Sequence, residues 1–154
     1  MFNTGRLFTA LQSALPQHLI SQAAGSLAMS RQKLIKNTFI SLFLKAYDVD
    51  LSEAEQEQAE EYPSFNAFFT RALKADARPM PDDLNVLVSP ADGCISEHGI
   101  IDGQRLLQAK NRDYRLDELL PVPPELWRPY MQGHFTTIYL APKDYQRFHM
   151  TVTA

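Results

Sequence analysis

A single cysteine, Cys94, stands in 154 residues, so no internal disulfide can form and a small secreted fold held by bridges is excluded. Glycine is sparse at six residues, and no phosphate-binding loop, dinucleotide fingerprint or zinc-type ligand spacing occurs. No internal repeat is present. No window holds about eighteen uninterrupted apolar residues, as a membrane-spanning helix requires. A formal charge of -3 gives no basis for a nucleic-acid partner. The most informative absence is local. Residues 1–47 contain no Asp or Glu, while Arg6, Arg31, Lys33, Lys36 and Lys45 are all basic.

What remains is an ordinary globular composition, 45% hydrophobic and 21% charged, of about one domain's length. The acid-free region has helical periodicity. Phe2, Leu7, Phe8, Leu11 and Leu15 share one face before Pro16 interrupts. Leu19, Ile20, Ala23, Ala24, Leu27 and Ala28 form a second face, and Leu34, Ile35, Phe39, Leu42, Phe43 and Ala46 a third. Basic, acid-poor amphipathic helices suit the headgroup layer of an anionic membrane. A transit peptide has a similar composition, but three successive helices are long for one. An ordinary helical layer explains the periodicity equally well; it does not explain the absence of acids, which favours membrane contact.

Five glutamates then fall within residues 53–61. Ser52-Glu53-Ala54-Glu55 fits a capping box opening a short acidic helix, read as a solvated spacer. Tyr62-Pro63-Ser64 closes it and starts another helix, with Phe65, Phe68, Phe69, Ala72 and Leu73 on one face and Ala77-Arg78-Pro79 at its end. Three phenylalanines at that spacing predict a core.

The next stretch, Val86–Ser96, organises the remainder. Val86, Leu87 and Val88 read as a strand ended by Pro90, which places Asp92 on a rigid turn. Taken alone, Asp92-Gly93 reads as a hairpin turn with a solvated carboxylate. The rival is a carboxylate that orients a histidine. Cys94 reads as a small apolar strand residue, since nothing nearby in sequence would activate a thiol.

Further on, Ile100-Ile101, Asp102-Gly103 and Gln104–Ala109 suggest a hairpin, Leu116–Leu120 one helical turn, and Pro121, Pro123 and Pro124 a loop. Phe135–Leu140 is β-branched and aromatic, a strand by composition, followed by a turn and a further strand to Met150. His18, His98 and His134 have no arguable partner. His149 stands in the densest polar-aromatic segment and could be a base oriented by Asp92, although the two are 57 positions apart (149 minus 92).

Three segments together carry a family resemblance: FNAFFTRALKADARPM (65–80), VLVSPADGCIS (86–96) and YLAPKDYQRFHM (139–150). In order and spacing they resemble the proenzyme of bacterial phosphatidylserine decarboxylase, whose membrane-binding region the acid-free N-terminus is also similar to. The resemblance covers nearly the whole chain but only about the first half of the family's protein. It implies self-cleavage at a Gly-Ser bond, with the serine becoming a pyruvoyl group on a small subunit. It implies that Asp92 and His149 activate that serine. The pyruvoyl group then takes up electrons as phosphatidylserine loses carbon dioxide to become phosphatidylethanolamine. A lipid substrate implies a peripheral place on the cell membrane, on its cytoplasmic face.

The chain departs from the family at three points. The Leu-Gly-Ser-Thr cleavage site is missing, and the only Gly-Ser is Gly25-Ser26 within an expected helix. Gln146 stands where the family usually has a histidine associated with decarboxylation, and an amide cannot exchange a proton near neutral pH. Thr151-Val152-Thr153-Ala154 follows the last motif where the family continues differently. A frameshift, an early stop or a fragmentary sequence is the simplest account.

The leading expectation is a decarboxylase proenzyme fragment, inactive alone, partnered by phosphatidylserine, the lipid surface and a pyruvoyl-bearing small subunit. The alternatives are a non-catalytic peripheral membrane module and a hydrolase using Asp92, His149 and an unidentified serine, with Ser89 and Ser96 the first to mutate. The expected architecture is α+β: residues 1–61 a helical, membrane-facing region, residues 62–154 the first part of a mostly antiparallel catalytic domain bearing Asp92 and His149.

Overall fold

A computed structural model of the chain describes residues 17–83, 85–103, 105–109 and 112–151. The expected helix bearing Phe2, Leu7, Phe8, Leu11 and Leu15 lies outside the described residues. The architecture is α+β, with N-terminal helices followed by small antiparallel sheets. Two compact units divide it, Met1–Pro79 and Met80–Ala154.

In the first unit, the two helical periodicities become α1 (Gln17–Ala28) and α2 (Lys33–Ala46). Helix α2 turns Ile40 inward, and Phe43 and Leu44 beside it are half-buried. A 3-10 turn (Ala59–Glu61) and the short helix α3 (Phe65–Phe69) close over this face. Ser64 caps α3, its hydroxyl accepting the Ala67 N–H at 3.1 Å. The α3 phenylalanines are core residues, as their spacing predicts. Phe43 meets the rings of Phe65, Phe68 and Phe69 edge-on at centroid distances of 5.4, 5.8 and 5.7 Å, the geometry the ring quadrupoles prefer. Tyr62 completes the cluster, so the compact division falls after Pro79, beyond the step in charge and pattern at 61/62.

Lys36 is also buried in this unit. Its ammonium donates to the Glu60 carbonyl at 2.8 Å and to Asn37 Oδ1 at 2.7 Å, tying the 3-10 turn to α2. The outer faces of the helices are another matter. Leu19, Ile20, Leu27, Leu34 and Leu42 are all exposed.

Two expectations fail here. Residues 52–58 are not a helix: Ala54 is fully buried in an antiparallel bridge with Leu73. The Glu55 N–H donates to the Ala72 carbonyl and the Lys74 N–H to the Glu53 carbonyl, both at 2.9 Å. The would-be cap Ser52 is instead captured by Asp50, whose Oδ1 accepts its N–H at 2.8 Å and stabilises a turn. That main-chain hydrogen bond, helped by the Ser52 side chain, holds the Asp50 carboxyl below the usual range. The glutamates are not a bare spacer either, because Glu57 pairs with Lys74 and Glu53 with Arg78.

The helix expected to run from 65 to 79 likewise stops at Phe69. Thr70 Oγ1 donates back to the Asn66 carbonyl at 2.8 Å, and the chain leaves to form the bridge with Ala54. A β-bridge cannot form with residues still coiled in a helix, so the bridge wins over the helical pattern of Ala72 and Leu73.

In the second unit, β1 (Cys94–Ile100) pairs antiparallel with β4 (His134–Tyr139), in a register from Cys94 opposite Tyr139 to Ile100 opposite His134. A bulge interrupts the ladder between Ile95 and Glu97. The Ile101 N–H donates to the Gly133 carbonyl at 2.8 Å and the Gln132 N–H to the Ile101 carbonyl at 3.1 Å, extending the ribbon. A second ribbon joins β2 (Arg105–Ala109) to β3 (Arg112–Arg115). Then come two single helical turns, α4 (Leu116–Leu119) and α5 (Pro124–Trp127), the latter opened by Pro124 at its first position. Leu116 and Trp127 are buried.

Three further expectations are corrected here. Val86–Val88 forms no strand among the described residues, and the Val86 N–H instead donates to the Asp83 carbonyl at 3.1 Å in a turn. Asp102-Gly103 does turn, with Gly103 at φ +63°, but β1 takes its partner from β4 and β2 from β3, so the expected hairpin is not made. The segment after β4 contains a turn and no second strand. Side-chain bonds from Asp144 and Gln146 to its own main chain hold it in irregular form.

Candidate active site

The β1–β4 pairing is antiparallel, so the residues just before β1 and those just after β4 emerge at one end of the ribbon. Asp92 and Gly93 are the former, and the Leu140–Met150 segment is the latter. Asp92-Gly93 is therefore a bend leading into β1, not the turn of a hairpin, since the partner strand lies about forty residues downstream. Gly93 is required at this point. A Cβ there would lie 2.5 Å from the Tyr139 carbonyl oxygen and 3.1 Å from Ile138 Cγ2, nearer than any side chain can approach a backbone carbonyl.

Beyond β4 the chain reverses at Ala141–Asp144. The Asp144 N–H donates to the Ala141 carbonyl at 3.0 Å, and Asp144 Oδ2 accepts the Ala141 N–H at 2.7 Å. Gln146 adds a clamp. Its Nε2 donates to the Ala141 carbonyl at 2.7 Å and to the Asp144 carbonyl at 3.1 Å, using both hydrogens of the amide. A neutral imidazole at this position has one N–H and could serve only one of the two carbonyls. Gln146 thus has a structural task at the place where the resemblance implies a histidine.

Tyr145 follows, buried, with its hydroxyl 2.8 Å from His149 Nε2. The two rings lie almost parallel, 13° apart, with centroids separated by 5.6 Å. The His149 N–H donates to the Pro90 carbonyl at 2.7 Å. That bond fastens the histidine segment to the Pro90–Asp92 bend. The two stretches singled out in the sequence are therefore joined backbone to backbone, with His149 exposed and Asp92 half-buried. An imidazole rooted one bond away from a carboxylate-bearing turn has the ingredients of acid–base chemistry.

The other candidate groups do not join it. Ser89 Oγ donates to the Ala91 carbonyl at 2.7 Å and Ser96 Oγ to the Thr137 carbonyl at 3.3 Å, so both hydroxyls are spent on main-chain acceptors. Cys94 opens β1 as expected of a strand residue, but it is exposed and not a packed apolar one. The pyruvoyl precursor that the resemblance implies finds no fit either. Gly25-Ser26 lies in the last turns of α1, and Ser26 Oγ donates to the Gln22 carbonyl at 2.9 Å within that helix. Cleavage there would break a hydrogen-bonded helix. The residue that sequence reasoning missed is Tyr145; its signal was the four-residue spacing to His149, which carries meaning in a helix but none by itself in an irregular segment.

Comparison with known proteins places these segments. The phosphatidylserine decarboxylase family profile matches residues 65–154, and a further profile described as PSD matches residues 7–48. A relative from Alcanivorax borkumensis is 48% identical over 149 residues, covering 96% of this chain and 51% of the relative. One from Hahella chejuensis is 49% identical over 147 residues, covering 96% and 50%. One from Pseudomonas fluorescens is 50% identical over 145 residues, covering 94% and 50%. All three bear the name phosphatidylserine decarboxylase proenzyme. The chain spans about half the length of the curated relatives it matches.

Proposed function

Because this chain belongs to the phosphatidylserine decarboxylase family, we propose that it supplies the activating half of a self-processing decarboxylase. The observation that carries this is the 2.7 Å bond from the His149 N–H to the Pro90 carbonyl, which joins the two family segments at one end of the β1–β4 ribbon. In this function His149 takes the proton of a serine hydroxyl as that serine attacks its own peptide bond, and Asp92 orients the imidazole and balances its charge. The serine is not in this chain. Residues 1–154 therefore neither cleave themselves nor decarboxylate phosphatidylserine alone, and the pyruvoyl group comes with a small subunit from the other half of the proenzyme.

The helical region serves the same function by holding the site at the lipid. Exposed Leu19, Ile20, Leu27, Leu34 and Leu42 lie among basic residues with no acid before Asp48, a pattern suited to anionic headgroups on the cytoplasmic face of the cell membrane. Attachment is peripheral in this proposal. Among the described residues no helix is long and apolar enough to cross a membrane.

A chimera tests the proposal. Residues 65–154 replace the matching stretch of the Hahella chejuensis proenzyme, and self-cleavage is followed by intact mass. Cleavage is expected, together with its loss in Asp92→Asn and His149→Ala. Gln146→His should raise decarboxylation of phosphatidylserine vesicles per cleaved molecule, since an imidazole can exchange a proton there. A chimera that never cleaves, or that cleaves equally with both substitutions, ends the proposal.

A further inference from the structure

We propose that Tyr145 is a positioning residue that decides which ring nitrogen of His149 carries the proton. The inference rests on the reading of His149 as the base of self-cleavage. A buried phenol needs an acceptor for its hydrogen, and the hydrogen-bond partner of the Tyr145 hydroxyl among the described residues is His149 Nε2, at 2.8 Å. Were Nε2 the donor, the phenol hydrogen would lose that acceptor. The phenol therefore donates, Nε2 presents its lone pair, and the ring proton sits on Nδ1.

That tautomer is the one a base needs. Nδ1–H is the hydrogen that a carboxylate such as Asp92 accepts, and Nε2 is the nitrogen that receives the nucleophile's proton. Two anchors preorganise the imidazole before any serine arrives. The His149 N–H to the Pro90 carbonyl fixes the root of the side chain, and the near-parallel Tyr145 ring and its hydroxyl fix the plane. Gln146 supports this from one residue away by clamping the turn that delivers Tyr145. During cleavage the serine hydroxyl must displace the phenol as donor to Nε2, so Tyr145 holds the tautomer only until the nucleophile arrives.

The test is histidine nitrogen spectroscopy on the full 154-residue chain, at a pH where imidazole is neutral. The signals of His149 are identified by their loss in His149→Gln. The wild-type chain should show Nε2 as an unprotonated, acceptor-type nitrogen and Nδ1 as protonated. Tyr145→Phe keeps the stacked ring and removes the hydroxyl, so His149 should revert to the Nε2–H form that free imidazole prefers. Wild-type His149 with its proton on Nε2 overturns the proposal without any variant, even if Tyr145→Phe fails to fold. So does a folded Tyr145→Phe that keeps the proton on Nδ1. Neither readout involves cleavage, so failure here leaves the chimera test of the decarboxylase proposal standing, and failure there leaves this one readable.

Discussion

The two units of this chain solve the problem of stability differently. The first builds an aromatic core: Ile40 and Phe68 are the largest fully buried side chains among the described residues, and both lie there. The second has main-chain ladders, and among its described residues Ile101, Leu116, Trp127 and Tyr145 are the buried hydrophobic ones. Its ribbon turns apolar residues outward, Ile95, Ile100 and Tyr139 each being about 60% exposed. The candidate chemistry sits in this second unit. A core fixes side chains by packing from all sides, whereas a ribbon fixes residues by register. In the proposed function Asp92 and His149 need register more than burial, since both serve a group that neither unit's core holds.

That contrast can be broken from either side. Phe68→Ala should have the largest effect, because its fully buried ring touches Phe43, Tyr62 and Phe65. A loss of about 3–5 kcal/mol in urea-measured stability is expected, with amide protection falling across α2 and α3. A loss below about 1 kcal/mol would mean that the aromatic cluster does not carry the first unit. Gly93→Ala attacks register instead. The added methyl meets the Tyr139 carbonyl from only 2.5 Å, and two backbones must separate to admit it. About 1–3 kcal/mol should be lost, with exchange protection failing first where Cys94 faces Tyr139 and the His149 N–H losing its slow exchange. If the His149 amide stays protected in this variant, the ribbon end does not set the histidine segment.

The same contrast explains what could be read from the sequence. Helices α1 and α2 were legible because the 3.6-residue period is a local signal that survives any packing. The helix start at Tyr62-Pro63-Ser64, the phenylalanine core and β4 were legible because their signals, too, are local. The bridge between Ala54 and Leu73 was not, since it joins residues nineteen apart in stretches whose local pattern favours helix. The order of pairing in the second unit was also hidden. An Asp102-Gly103 turn advertises a hairpin, but the partner of β1 is decided by the close approach of Gly93 to Tyr139, a contact across some forty-six positions. Asp92 and His149 were nameable from chemistry and family motif, yet their joining through Pro90 depends on that same long-range register. The hydroxyl of Tyr145 on Nε2 left only a four-residue spacing, which means nothing by itself in an irregular segment.

A smaller effect sharpens the comparison through pH. Tyr62 packs edge-on against Phe68 in the first core, and its hydroxyl donates to the Gln56 carbonyl at 2.6 Å. Burial raises its pKa above the ordinary tyrosine value, outweighing the opposing pull of the Arg71 guanidinium. A raised folded pKa means that the fold prefers the neutral phenol. The resulting stabilisation is complete below the unfolded value of about 10 and is lost as pH climbs through the folded value above it. Tyr62→Phe removes both the hydrogen bond and the titration. At neutral pH the variant should be about 1 kcal/mol less stable. Above pH of about 10 the gap should narrow, because only the wild type forfeits this contribution. Urea midpoints of the two proteins measured across that range decide the matter: other lysines and tyrosines titrate in both, so their difference isolates Tyr62. A gap that stays constant into strong alkali would mean that the phenol hydrogen plays no part in holding the aromatic core.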